Sequence, residues 1–282
     1  MARIALAAVA LALLGAAPAL ARVSSDTAAL QVALRAKGLY GGTVDGVAGP
    51  GTRAAVRALQ ARRGLAVDGV AGPRTRRALG RRGRPRLGSR PLSVPARGWD
   101  VAALQFLLAR HGFPSGPVDG GLGPRSDAAL RRFQAWAGLG ADGVAGPATL
   151  AALRRAPPRS ILRFLAPLGV APTDRFGPRG AMFHTGQDYP APLGTPVGAA
   201  GRGCVESVGW IDGYGRVVVI RHRLGMTSWY AHLSRISVPR GRCVVAGDLI
   251  GRVGSTGRST GPHLHLELRL RGAAVDPRTG GL

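Results

Sequence analysis

A six-residue phrase occurs four times in this chain and constrains everything before residue 155. It reads Asp45-Gly46-Val47-Ala48-Gly49-Pro50, then Asp68-Gly69-Val70-Ala71-Gly72-Pro73. It returns as Asp119-Gly120-Gly121-Leu122-Gly123-Pro124 and as Asp142-Gly143-Val144-Ala145-Gly146-Pro147. A hydroxyl residue follows two places after each proline: Thr52, Thr75, Ser126 and Thr149. The copies fall in two pairs with the same internal spacing, which marks a duplication. Asp-Gly opens a turn because glycine tolerates positive φ. A proline behind the second glycine is pre-set for the first turn of a helix. Helical spacing follows, with Ala54, Val56 and Leu59 beside Gln60, and with Ala128, Leu130, Phe133 and Trp136. Leading helices are expected at about 27–38 and 100–111. Each repeat therefore reads as a small three-helix module, residues 25–80 and 97–155, with a core that is marginal at that size.

The flanks of these modules have their own character. Residues 81–96 are rich in arginine, glycine and proline and read as a basic linker, and residues 156–164, with Pro157-Pro158, read as a second. Residues 1–21 carry Arg3, an apolar run from Ile4 to Leu14 and the small-x-small site Ala19-Leu20-Ala21. That pattern predicts a signal peptide cut after Ala21, because the apolar run is short for a spanning helix. The expected destination is secreted or cell-wall associated, with no stable membrane insertion. The net charge of +25 is almost all arginine, and Lys37 is the sole lysine. Such a charge favours anionic partners. The arginines are spread along the chain with no recognition-helix or finger spacing, so anionic envelope polymer is expected and nucleic acid is not. Two cysteines are too few for a disulfide-dense scaffold or a cysteine-ligated zinc module. The chain is expected to act as a monomer.

From residue 165 the pattern changes to short β runs: Val217–Ile220, Thr227–Tyr230, Cys243–Val245, Leu249–Val253 and Leu264–Leu270. Helical periodicity is absent, and an all-β domain over residues 165–282 is expected. The fold class is thus multidomain, two all-α modules followed by an all-β unit. Four of the six histidines fall in this unit's three clusters. His184 and Asp188 stand in a looped segment around Gly186, His232 in Tyr230-Ala231-His232-Leu233-Ser234, and His263 and His265 in a His-x-His pair. On an alternating strand both members of that pair leave one face, opposite Leu264, Leu266, Leu268 and Leu270. His184 and Asp188 with one histidine of the pair would make a three-ligand zinc set with a position left for water, as a catalytic zinc requires. His222 and His111 are assigned no catalytic role. His222 is expected at the surface after a strand, and His111 at a helix C-terminus.

The helical repeats resemble peptidoglycan-binding domains of the three-helix type, on the Asp-Gly-x-x-Gly-Pro-x-Thr phrase and Phe133-Gln134, although Leu59-Gln60 stands in the first module. Binding of cell-wall material is what that resemblance implies. The C-terminal segment resembles the lysostaphin-type zinc metallopeptidases. The match runs from Arg175-Phe176-Gly177 through His184-x-Gly186-x-Asp188, Gly194-Thr195-Pro196-Val197, Gly213-Tyr214-Gly215 and Tyr230-Ala231-His232-Leu233-Ser234. It continues from Gly254-Ser255-Thr256-Gly257 to His263-Leu264-His265-Leu266-Glu267. The resemblance implies Zn2+ held by His184, Asp188 and His265, with His232 and His263 as catalytic histidines outside the ligand set. It implies an endopeptidase acting on peptidoglycan. The alternative is a non-catalytic wall-binding or amidase-regulating protein, like family members that have lost ligands. All five residues are present here, which argues against it. Glu267 shares the face of His265 and is read as a group that holds a ligand imidazole rather than as a base.

Cys204 and Cys243 both lie in the β unit near strand starts, away from the ligand clusters. In an exported chain an even pair is expected to bridge, the alternative being two separate buried thiols. Such a bridge is expected to hold the two halves of the zinc site together.

Overall fold

The computed structural model describes residues 23–282, and the expected signal peptide at 1–21 lies outside them. Among the described residues there are six α-helices and twelve strands. The first module holds α1 (Ser25–Arg35), α2 (Pro50–Arg62) and α3 (Pro73–Ala78). The second repeats it as α4 (Trp99–Arg110), α5 (Pro124–Trp136) and α6 (Pro147–Leu153). Each phrase proline starts its helix, behind a glycine N-cap that makes no side-chain bond.

The phrase exists to satisfy a buried glutamine. Gln31, Gln60, Gln105 and Gln134 lie on the preceding helices and are at most 2% exposed. Each Nε2 donates to the phrase aspartate at 2.6–3.0 Å, to the carbonyl two residues on, and to the Thr or Ser hydroxyl. Each Oε1 accepts the N–H of the phrase glycine at 2.9–3.0 Å. The same aspartate oxygen accepts the backbone N–H two residues on, which closes the turn. Glutamine, aspartate, glycine and hydroxyl are thus one unit repeated four times. Gln60 and Gln134 stand out in the sequence beside their phrases. Gln31 and Gln105 do not, because they lie 14 residues ahead of their aspartates, against 8 for the other two.

Three expectations about the helical half change in the structure. The buried positions are Ala55 and Ala129, whereas Ala54 and Ala128 face solvent. The second module keeps a core of its own, but the first shares its core with the second's leading helix. Ala28, Ala29, Val32 and Ala33 of α1 pack with Trp99, Ala102, Ala103 and Phe106 of α4 in one cluster. Small residues let the two leading helices approach, and the shared core relieves the small size of each module. Finally, both linkers are pinned. Leu92 is fully buried and pairs with Ala145 through backbone bonds, and Arg90 pairs with buried Asp100 at 2.8 Å. In the second linker Phe164 inserts into the β core.

The all-β domain starts with a separate hairpin, β1 (Gly177–Arg179) and β2 (Met182–His184). It continues with β3 (Gln187–Pro190), β4 (Pro196–Gly198), β5 (Gly203–Ile211), β6 (Gly215–Arg221) and β7 (Met226–Leu233). The remainder are β8 (Arg235–Ile236), β9 (Cys243–Val244), β10 (Leu249–Arg252), β11 (His263–Leu270) and β12 (Ala273–Val275). The main sheet has the order β12-β11-β7-β6-β5-β9, with β3 pairing the first half of β11, all antiparallel. A smaller sheet, β4-β10-β8, covers one face. Between them lie Val218, Ile220, Tyr230, Leu264, Leu266, Leu268, Val197 and Ile250, each nearly fully buried. Alternation sends His263, His265, Glu267 and Arg269 to the opposite face, beside Val217, Val219, Ala231 and Trp229.

Two sequence expectations are corrected here. His222 is buried rather than exposed: its ring bonds the Arg202 carbonyl and the Ser228 hydroxyl, both at 2.8 Å. It fills a polar hole under the sheet. Cys204 and Cys243 do form a disulfide, as directly opposed residues of β5 and β9. The bridge staples the outer strand of the main sheet, with β6 and β7 between it and β11. It therefore does not join the ligand clusters.

Candidate metal centre

His184 ends β2, Asp188 lies in β3 and His265 in β11, with Asp188 and His265 directly opposed. Thr185 and Gly186 make the step between the two short strands, so the segment read as a loop is two strand ends. Gly186 is required there: a Cβ would lie 2.2 Å from the Leu266 carbonyl oxygen. Only a glycine lets this step lie flat against β11.

The three donor atoms converge. His184 Nε2 lies 3.1 Å from Asp188 Oδ1 and 3.0 Å from His265 Nδ1, and His265 Nδ1 lies 2.8 Å from Asp188 Oδ1. The other ring nitrogens decide what these atoms carry. His184 Nδ1 faces the Arg175 carbonyl at 3.1 Å, and a carbonyl only accepts, so Nδ1 holds the proton. His265 Nε2 faces Glu267 Oε1 at 3.0 Å and holds its proton for the same reason. Two imidazole lone pairs and a carboxylate oxygen are thereby aimed at one point. Among the described residues, this is the group of histidine, cysteine and acidic side chains able to hold a metal ion. Donors of this type and spacing fit one small cation, with bonds of about 2.0–2.2 Å for zinc. Without an ion a proton takes the place. Burial disfavours charge on His265, but hydrogen bonds to Asp188 and Glu267 outweigh it and raise its pKa to about 9. Burial likewise works against the Asp188 carboxylate, yet the His184 and His265 rings beside it hold it well below the usual range.

Glu267 anchors the back of the centre. It is fully buried and accepts from His265, from the Thr185 hydroxyl and from Tyr214 Oη at 2.8 Å. Its other oxygen accepts from Arg269 Nε at 2.7 Å, and the Arg269 guanidinium lies 3.8 Å over the Trp229 ring. Burial would raise its carboxyl, but Arg269 and then His265 keep it far below the carboxylate range. The sequence reading of Glu267 as a holder of the imidazole matches this geometry. It missed Tyr214 and Arg269. The signal for Arg269 was available, since the alternation that pairs His263 with His265 also carries Glu267 and Arg269.

His232 and His263 stand beside the donor triangle, their rings 4.7 Å apart. His232 Nδ1 donates to the Thr256 carbonyl at 2.7 Å and His263 Nδ1 to the Gly261 carbonyl at 2.8 Å. Each therefore leaves Nε2 free, that of His263 at 3.9 Å from Asp188 Oδ1. Strict alternation along β7 would turn His232 into the core with Ser228 and Tyr230. Its backbone has φ of 61°, a conformation that non-glycine residues rarely adopt. That twist brings the ring to the site face and sends Leu233 into the core instead. Burial, then the neighbouring His265 and His263, lower the pKa of His232 against the pull of the Thr256 carbonyl.

Comparison with known proteins agrees with this architecture. Residues 182–277 match the model of Peptidase family M23, and residues 23–79 and 97–153 match that of the "Putative peptidoglycan binding domain". The C-terminal unit thus belongs to peptidase family M23, behind two helical modules of the peptidoglycan-binding type. The DD-carboxypeptidase/endopeptidase Mpg of Neisseria meningitidis is 54% identical over 94 residues, which are 33% of this chain and 22% of the relative. The peptidoglycan DD-endopeptidase ShyC of Vibrio cholerae is 47% identical over 96 residues, 34% of this chain and 22% of the relative. The chain thus spans about a fifth of the length of these curated relatives. Among solved structures, lysostaphin from Staphylococcus simulans is 36% identical, with 39% of this chain and 48% of that chain covered and a TM-score of 0.37. No helix among the described residues is long and apolar enough to cross a membrane.

Proposed function

We propose that this protein is a zinc-dependent endopeptidase that cuts peptide bonds of peptidoglycan and is brought to the wall by its two helical modules. One observation carries the reading: three lone pairs converge at His184, Asp188 and His265 while two further imidazoles, His232 and His263, offer a free Nε2 beside them. His184, Asp188 and His265 hold the ion, and two imidazoles among three donors favour zinc over magnesium or calcium. A zinc ion there supplies Lewis acidity for the scissile carbonyl and for water. His232 and His263 handle protons and developing charge at Nε2, one taking the proton of water, the other stabilising the oxyanion or protonating the leaving amine. Glu267 and the Arg175 carbonyl fix the tautomers that keep the two ligand lone pairs free. The name of the Vibrio cholerae relative, a peptidoglycan DD-endopeptidase, supports a peptidoglycan peptide as substrate. A secreted or wall-associated location and action as a monomer, with site and modules in one chain, belong to the same reading.

Digestion of purified sacculi by the zinc-loaded protein tests it. New free amino groups in the released fragments, read by mass spectrometry, are the expected result. Absence of release by protein carrying its zinc sinks the enzyme reading and leaves wall binding or regulation of another hydrolase.

A further inference from the structure

The β1–β2 hairpin has three residues per strand and stands apart from both larger sheets. A two-stranded ribbon of this kind has little stability of its own. Yet it carries His184 at the end of β2 and Arg179 at its turn. Two hydrogen bonds grip that turn from outside. The Val44 N–H donates to the Gly180 carbonyl and the Val118 N–H to the Ala181 carbonyl, each at 2.8 Å. Val44 and Val118 hold the same place in the two repeats, each directly before the phrase aspartate, and both are buried. The duplicated modules therefore close on adjacent carbonyls of a single turn.

Arg179 reaches from that turn to the metal centre. Its Nη2 donates to Asp188 Oδ2 at 2.9 Å and also pairs with Asp174. Asp188 Oδ1 is the oxygen that faces His184 and His265, so the arginine occupies the other one. The backbone braces the same residue: the Asp188 N–H donates to the Asp174 carbonyl at 2.8 Å. As a contribution to stability an ion pair this exposed is small. As a constraint on one carboxylate it matters, because a free carboxylate rotates and offers both oxygens, whereas one held by a guanidinium offers one.

We propose that Arg179 is a positioning residue for the metal ligand Asp188, and that both helical modules hold it there through the Gly180–Ala181 turn. This rests on the reading of His184, Asp188 and His265 as metal ligands. The modules then complete the metal centre as well as tethering it. Coupling of this kind is reciprocal, so metal binding must tighten the module contact by the same factor.

Zinc affinity of the full chain, measured by competition with a chromophoric chelator, tests the first half. Arg179→Gln should bind zinc about 10–100-fold more weakly than the wild type. Arg179→Lys should recover part of the loss, since an ammonium keeps the charge but lacks the planar fork of the guanidinium. The visible spectrum of the cobalt-substituted protein should shift in Arg179→Gln, a readout that a merely structural role would not move. Equal affinity and an unchanged cobalt spectrum in Arg179→Gln overturn the assignment. A wild-type chain that takes up neither metal overturns the metal centre itself, and this inference with it. Hydrogen exchange of the unmodified chain tests the second half. The amides of Val44 and Val118 should be protected, and zinc should slow their exchange several-fold. Exchange at these two amides that ignores zinc overturns the clamp.

Discussion

Around Gln60 every polar atom meets its complement. The amide donates to Asp68, Val70 and Thr75, and its oxygen accepts from Gly69. Around Asp188 the reverse holds, because His184 Nε2, His265 Nδ1 and a carboxylate oxygen all turn their lone pairs to one point. Both clusters are largely buried and assembled from short, recognisable phrases. The first is closed and has nothing left to offer a ligand, so it specifies a fold. The second is open and becomes satisfied only when a cation or proton enters. Closure therefore separates structural polar clusters from functional ones here more sharply than burial or motif strength does. If the modules bind the wall as proposed, they do so elsewhere than in the repeated phrase itself.

The open cluster gives the largest expected effects. Replacing His265 by Ala should abolish both zinc content and hydrolysis. Replacing His263 by Ala should leave close to one zinc per chain while hydrolysis falls by about 10²–10⁴-fold, the usual worth of a proton-transferring side chain. Elemental analysis of the two purified variants beside a sacculus assay checks this. Loss of zinc from His263→Ala would show that the ligand assignment within the His-x-His pair is wrong.

Glu267 belongs to both kinds of cluster, closed on Arg269 and Tyr214 yet serving the open one through His265. Glu267→Gln leaves the half-buried Arg269 without its charge partner, and breaking a largely buried pair in this way costs up to about 3–5 kcal/mol. Its zinc affinity should fall about 10–100-fold as well. Denaturant unfolding and chelator competition read the two losses separately. A loss of stability with unchanged zinc affinity would mean that Glu267 does not orient His265.

The closed clusters should fail differently. Gln60→Leu strands the buried Gly69 N–H, and an unsatisfied buried polar group costs about 1–3 kcal/mol. Lower thermal stability with unchanged zinc content is the expected pair of results. A wall-binding defect at temperatures where Gln60→Leu is fully folded would give the phrase a ligand role and erase the contrast.

The smallest effect is on pH dependence. The folded pKa of His232 lies below the usual 6.5. Between that lowered value and 6.5 the unfolded chain binds a proton that the folded chain refuses. His232 therefore makes stability rise with pH through this window, with the full benefit above about 6.5 and its loss as pH falls. The same shift keeps the imidazole neutral to lower pH, so the acid limb of kcat/KM should fall below 6.5. An acid limb above that value would exclude His232 as the group that titrates there.

Much of this was legible in the linear chain because it is written in local code. Proline after glycine placed four helix starts, and alternation from His263 to Leu270 placed a strand with a polar and an apolar face. What stayed hidden depended on neighbours distant in sequence. His222 follows a strand, as surface residues often do, and only the packing of Ser228 and the Arg202 carbonyl around it makes it a core residue. The shared core of α1 and α4 was equally invisible, since each helix shows an apolar face but not the partner it will meet.

The sequence by itself determined the kinds of residue at the centre, the domain types and the turns, because these follow from side-chain chemistry and backbone preferences within a few residues. Tertiary structure alone decided that the donors of His184, Asp188 and His265 meet within 3.1 Å, through the register of β3 on β11. It alone decided that His232 faces them, since a φ of 61° reverses what alternation dictates. It alone brought Val44 and Val118, one from each repeat, onto the turn that carries Arg179. Local preferences act over one or two turns of chain, whereas convergence is set by long-range pairing and packing, which no short stretch of sequence encodes on its own.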